Sequence, residues 1–135
     1  MWPALARSFD AFPSGHPRRL RELLEANGGF TVTLGSGKTV RSGISVAARP
    51  SRSLRFERGA WCDRTVDEWM QSIAAEPTWP GRRVGGWVDP VSGAVSLDIV
   101  LVIPRLMRSV AVVLGRATNQ QCIFDLTRNE TMVLR

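Results

Sequence analysis

The sequence predicts a single α+β domain with a mostly antiparallel sheet and two or three helices. Three observations predict it. The chain has 135 residues, enough for one domain with a real core. Several short stretches alternate apolar and polar side chains, beginning with Phe30-Thr31-Val32-Thr33-Leu34, which is the pattern of half-buried strands. And Gly85-Gly86-Trp87-Val88-Asp89-Pro90-Val91-Ser92-Gly93-Ala94-Val95-Ser96-Leu97-Asp98 reads as strand, tight turn, strand. Asp89 supplies a side-chain acceptor, Pro90 a fixed φ, and Gly93 tolerance of positive φ.

The elements follow in order. Residues 1–17 contain Pro, Gly and Ser without a clear period and read as an irregular arm, leaving 18–135 as the domain. Residues 18–26 form a helix, with Leu20, Leu23 and Leu24 on one face and Asn27-Gly28-Gly29 as its stop. Residues 30–34 and 43–48 are strands. Residues 52–58 form a third, exposed strand, with Leu54 and Phe56 inward and Ser53, Arg55 and Glu57 outward. Asp63 or Thr65 caps a second helix, whose apolar stripe is Val66, Trp69, Met70 and Ile73. Pro77, Pro80 and Gly81 link to the hairpin strands at 82–88 and 94–103. Pro104 opens a third helix to about residue 118, where Leu106, Val110, Val113 and Leu114 can face the sheet. Strands at 122–126 and 131–134 close the chain around a polar turn. Each half, 18–76 and 82–135, reads as hairpin then helix.

Composition excludes some classes. With 44% apolar and 22% charged residues, the chain belongs with folded rather than disordered proteins. The longest apolar run, 95–103, is too short to cross a bilayer and contains Asp98. The first residues lack the charged and apolar regions of a secretory leader, so the expectation is a cytoplasmic protein without membrane contact. In that compartment Cys62 and Cys122 are expected to be small buried hydrophobes.

The net charge is +6, and all of it lies in the first half. Up to Arg64, ten arginines and one lysine face five acids; beyond it, seven arginines face seven acids. That asymmetry suggests one basic face, with Arg41, Arg49, Arg52, Arg55 and Arg58 placed to contact nucleic-acid phosphates. Seventeen of the eighteen basic residues are arginine, a bias that GC-rich codon usage also produces.

Other motifs carry less chemistry. Gly35-Ser36-Gly37-Lys38-Thr39 resembles the end of a phosphate-binding loop. However, Val32 stands where that loop needs a glycine, and strand pattern rather than a helix follows. His16 is the only histidine and has no Asp or Cys at ligand spacing, so no metal, cofactor or catalytic residue is assigned. Asp89, Asp98 and Asp125 sit at strand ends, where turn roles explain them; Asp98 is expected to meet solvent or Arg105. Trp69 and Trp87 read as core. Trp2, Trp61 and Trp79 lie in less regular stretches and are expected to seal the ends of the core; an exposed one beside Arg52, Arg55 or Arg58 would instead make a base-stacking platform.

The motifs Gly85-Gly86-Trp87-Val88-Asp89, Val95-Ser96-Leu97-Asp98, Arg116-Ala117-Thr118-Asn119-Gln120 and Ile123-Phe124-Asp125 resemble a family of small uncharacterised proteins. That family comes from high-GC actinobacteria, their plasmids and their phages. Gly29-Phe30-Thr31-Val32 and Ser42-Gly43-Ile44-Ser45-Val46-Ala47 look like its N-terminal hairpin. The resemblance implies no activity. The helix after Pro104 is more apolar here than the family pattern, which points to an extra buried face or a partner surface there.

The expected function is a non-enzymatic accessory or interaction protein, with a mobile element as its source. Its contact surface would be the basic first half or the 104–118 helix. The alternative is a nucleic-acid-binding module. An enzyme would need a deep pocket in which Asp98 or Asp125 meets another titratable group. The sequence leads one to expect that the exterior does the work and that no such cavity exists.

Overall fold

A computed structural model describes residues 16–75 and 82–134. The arm up to residue 15, the Pro77–Pro80–Gly81 link, Trp2 and Trp79 fall outside the described residues. The domain is α+β, with three α-helices among the described residues on an antiparallel sheet: α1 (His16–Asn27), α2 (Asp63–Ala74) and α3 (Arg108–Ala117). The strands are β1 (Gly29–Thr33), β2 (Ile44–Ala47), β3 (Leu54–Glu57), β4 (Arg83–Val88), β5 (Ala94–Ile103), β6 (Cys122–Asp125) and β7 (Glu130–Val133). Among the described residues, no helix is long and apolar enough to cross a membrane.

The sheet order is β1-β4-β5-β2-β6-β7. The ten-residue β5 organises it. One edge of β5 pairs with β4 through residues 95–100. The other edge is shared: β3 takes residues 94–97 and β2 takes 100–103. Between them the chain leaves the sheet through a 3-10 turn, Pro50–Arg52, after the Ala48 amide donates to the Ile99 carbonyl at 2.8 Å. The two sequence halves are therefore interleaved. β1 pairs with β4 of the other half, and β2 lies between β5 and β6. The expected repeat of hairpin then helix is not how the sheet is assembled.

Cross-strand partners share a face, so the register sorts the side chains. Val84 lies opposite Ile99, Gly86 opposite Leu97 and Val88 opposite Val95. These residues, with Phe30 and Val32 from β1, meet Leu20 and Leu24 of α1 and Val66, Met70 and Ile73 of α2. Leu20, Val66, Met70, Ile73, Val84 and Leu97 are completely buried. Each such large side chain contributes roughly 1.5–3 kcal/mol through burial. The Phe30 ring lies across Gly86, where a Cβ would stand 2.2 Å from it. Further along the same face, α3 covers a second cluster of Ile44, Val46, Ala111 and Ile123.

Several expectations change. α1 starts at His16, two residues before the expected 18, and Gly28, at φ +76°, ends it as the glycine stop requires. α2 starts at Asp63 with Cys62 in the cap position. Cys62 is exposed and Cys122 half-buried, so neither is the buried hydrophobe expected. α3 begins only after a 3-10 turn, Arg105–Met107, and it faces the sheet with Ala111, Leu114 and Gly115. The small residues allow close approach: a Cβ on Gly115 would lie 2.5 Å from Leu134. Leu106, Val110 and Val113, expected inward, are exposed. Arg105 pairs with buried Asp125 at 3.6 Å, not with Asp98.

The loop around Gly35-Ser36-Gly37-Lys38 turns the chain back on β1. The Thr33 amide donates to the Lys38 carbonyl at 2.9 Å, and Thr39 bridges to Val32. No helix follows it, so its amides do not converge as a phosphate cradle would require.

Candidate functional site

The alternate residues of the same strands point away from the helices. On that side the sheet is concave and holds a cleft of about 530 Å³. Its floor is Thr31 from β1, Gly85 and Trp87 from β4, Ser96, Asp98 and Val100 from β5, and Ser45 and Ala47 from β2. Thr118 to Gln121, with Cys122 and Phe124 of β6, form the opposite wall, and Ser53 and Arg55 close one end. The four motifs quoted from the C-terminal half, spread from Gly85 to Asp125, all contribute residues to this one cleft.

Asp98 is the centre of the floor. Gly85 is its direct cross-strand partner, and a Val100 methyl occupies the space above it, 2.9 Å from where a Cβ would stand. The Ser53 hydroxyl donates to Asp98 Oδ1, and the Ser96 hydroxyl reaches Oδ1 at 3.1 Å and Oδ2 at 3.3 Å. Burial pushes the Asp98 carboxyl above its ordinary range; the two hydroxyls and the Arg55 charge pull it back less strongly. Asp89 stands at the mouth, in the β4–β5 turn. Its Oδ1 accepts from the Val91 amide at 2.8 Å and the Ser92 amide at 3.3 Å. The Val91 bond is the main reason its carboxyl is held below the usual range.

Cys122 faces both acids. Burial raises its thiol first, and the charges of Asp89 and Asp98 raise it further. A thiol held protonated is a weak nucleophile. No histidine lines the cleft among the described residues, and no group of three His, Cys, Asp or Glu there can hold a metal ion.

Gln120 fastens the wall to the sheet. Its Oε1 accepts from the Ala47 amide at 3.0 Å, and its Nε2 donates to the Ala47 carbonyl at 2.9 Å. The side chain thus extends the hydrogen bonding between β2 and the β6 side to Ala47, two residues beyond the Ser45–Phe124 pair. Thr118 ends α3 by donating its hydroxyl to the Leu114 carbonyl at 2.9 Å.

The five arginines proposed for phosphate contact are dispersed. Arg55 is opposite Ser96 and lines the cleft. Arg52 lies on the helical side: its Nη2 donates to the Ser72 hydroxyl of α2 at 3.2 Å, and its carbonyl accepts from the Trp69 indole at 2.7 Å. Arg41, Arg49 and Arg58 are exposed in three separate connections. Trp61 is packed edge-on against Phe56 with ring centroids 5.6 Å apart, and its indole donates to Asp63 at 2.7 Å. Trp87, expected in the core, is half-buried in the cleft instead.

The second notable surface is the outer side of α3. Val110 and Val113 share a face at i and i+3, and Leu106 stands in the turn before the helix; Leu106 is fully exposed and Val113 is 64% exposed. Arg105, Arg108 and Arg116 accompany them, with no acidic residue between 104 and 118. Sequence reasoning located this segment but assigned its stripe to the sheet. It missed the cleft, whose local signal was the small and polar series Ser96, Asp98 and Gly85 alternating with the apolar one. No family model, curated protein or solved structure matches the chain.

Proposed function

We propose that this chain is a non-enzymatic interaction protein that holds an acidic amphipathic helix of a partner against the outer stripe of the Arg105–Met107 turn and α3. The exposure of Leu106 in the turn and of Val110 and Val113, three residues apart on α3, carries the reading. A monomer gains nothing from leaving such side chains in water, whereas a partner's apolar face would bury them. Charge selects among partners. Arg116 borders the stripe and no acidic residue lies between 104 and 118, so a second basic helix, including a copy of this one, would be repelled, while flanking glutamates would be attracted.

The test uses two synthetic helices with the same apolar face, one flanked by Glu and one by Lys. The Glu peptide is expected to bind the full chain, to weaken as salt rises, and to lose binding to the Val113→Glu variant. Equal binding of both peptides, or binding of neither, rejects the reading.

Nucleic-acid binding is the second reading, favoured by the exposure of Arg41, Arg49, Arg55 and Arg58. The tie of Arg52 to Ser72 on the helical side and the packing of Trp61 weigh against a single groove. A salt titration with DNA or RNA separates the two, because phosphate contacts predict affinity that falls steeply with salt. Lack of binding at low salt ends this second reading.

A further inference from the structure

The cleft carries an inference that does not depend on the α3 stripe. The protein is strongly basic, yet this concavity is not. Its lining holds two carboxylates, Asp89 and Asp98, against one guanidinium, Arg55. Asp98 is held in one orientation by the Ser53 and Ser96 hydroxyls. Both reach Oδ1, and only the longer Ser96 contact reaches Oδ2. A carboxylate oxygen accepts more than one hydrogen bond, so Oδ2 retains capacity for a donor from a ligand. Trp87, directly opposite Ser96, offers an aromatic surface close to this carboxylate, and Phe124 faces it from the other wall.

These features discriminate among ligand classes. An anion would meet two carboxylates. A wholly apolar molecule would displace water from Asp98, Ser96, Ser45 and Thr31 without replacing its hydrogen bonds, at a cost for each group. A cation with several N–H donors satisfies the carboxylate, and an attached apolar stem covers the tryptophan; an aromatic face near a cation adds attraction. The volume, about 530 Å³, exceeds what a bare ammonium or guanidinium fills and falls within the range of small-molecule pockets. We propose that the concave cleft binds an organic cation, a guanidinium or primary ammonium on a short apolar stem, with its head on Asp98 and its stem between Trp87 and Phe124. Arg55 at the end of the cleft limits the head to a single positive charge at the Asp98 end. The chemistry is shared by a free small amine and by an arginine side chain offered by a peptide.

The experiment is titration of the isotope-labelled full chain, followed by amide and indole NMR signals. Butylguanidinium is the probe, butylurea its neutral isostere and pentanoate the anionic control. Butylguanidinium is expected to give saturable shifts at the Trp87 indole and at the amides of residues 96–98. Butylurea should bind at least about tenfold more weakly, and pentanoate should leave these signals unmoved. Asp98→Asn should reduce butylguanidinium affinity at least about tenfold while the rest of the spectrum stays folded. Trp87→Leu, which leaves the acid in place, should weaken the probe without abolishing it. A further pair, agmatine against the blocked tripeptide Gly-Arg-Gly, distinguishes the sources: whichever saturates at lower concentration identifies a free amine or a peptide side chain. Butylurea binding as well as butylguanidinium, unchanged affinity in Asp98→Asn, or no saturable shift at millimolar probe would each overturn the proposal.

Discussion

The two faces of one sheet are built from alternate residues of the same strands, and they do opposite things. On β5, Val95, Leu97 and Ile99 are buried under α1 and α2, while Ser96 and Asp98, one step along, line an open cleft. On β4, Gly86 is covered by the Phe30 ring on the helical face, whereas Gly85, on the cleft face opposite Asp98, is covered by a Val100 methyl. Stability resides on the helical face. The concave face spends buried positions on a carboxylate and hydroxyls, groups that are costly to desolvate and that stabilise the fold little.

The sharpest way to break the comparison is to mutate neighbours on β5. Leu97→Ala should cost about 2–5 kcal/mol in denaturant unfolding, because it opens a cavity in the main core. Ser96→Ala should cost about 1 kcal/mol, the value of one hydrogen bond. Equal losses would mean that the concave side bears as much of the structure as the core.

A paired glycine test comes next. Gly86→Ala places a methyl group 2.2 Å from the Phe30 ring and should destabilise by about 1–3 kcal/mol. Gly85→Ala meets a Val100 methyl at 2.9 Å, a side chain that can turn away, so thermal unfolding should shift less while the cleft narrows. Arg105→Ala leaves buried Asp125 with the Arg128 amide at 3.1 Å but without its cation. Because Arg105 is partly exposed, the expected loss is about 1 kcal/mol. Smallest of all, Val113→Glu on the outer side of α3 should change stability by no more than about 0.5 kcal/mol. A larger loss would mean that the stripe already has cover within the folded chain.

The sequence made much of the fold legible and little of the cleft. The alternation in Phe30–Leu34 and Leu54–Phe56, and the turn residues Asp89, Pro90 and Gly93, each act over a few residues, so the strands and the β4–β5 hairpin could be read directly. Pairing of β1 with β4 and of β2 with β5 depends on long-range register, which no local pattern encodes. Without that register, Asp98 looked like a solvent-facing strand residue awaiting Arg105, and Trp87 looked like core. α3 was misoriented for another reason. Large apolar side chains read as inward, but Ala111 and Gly115 let the helix sit close to Ile123 and Leu134, leaving the large ones outside.

The central claim is that Asp98 is kept on the concave face at the expense of stability. Thermal unfolding of Asp98→Asn beside the parent chain, from about pH 7 to about pH 3, tests it most directly. Burial raises this carboxyl in the folded state, so folding is favoured while Asp98 is protonated and loses stability as pH climbs through the folded value. Arg55, Asp89 and Cys122, the charged and titratable groups sharing the cleft, are present in both proteins and cancel to first order. The variant should melt higher than the parent near neutral pH, with the gap closing in acid. A variant that melts lower at neutral pH would show that the ionised carboxylate supports the fold, and the division of labour between the two faces would be wrong.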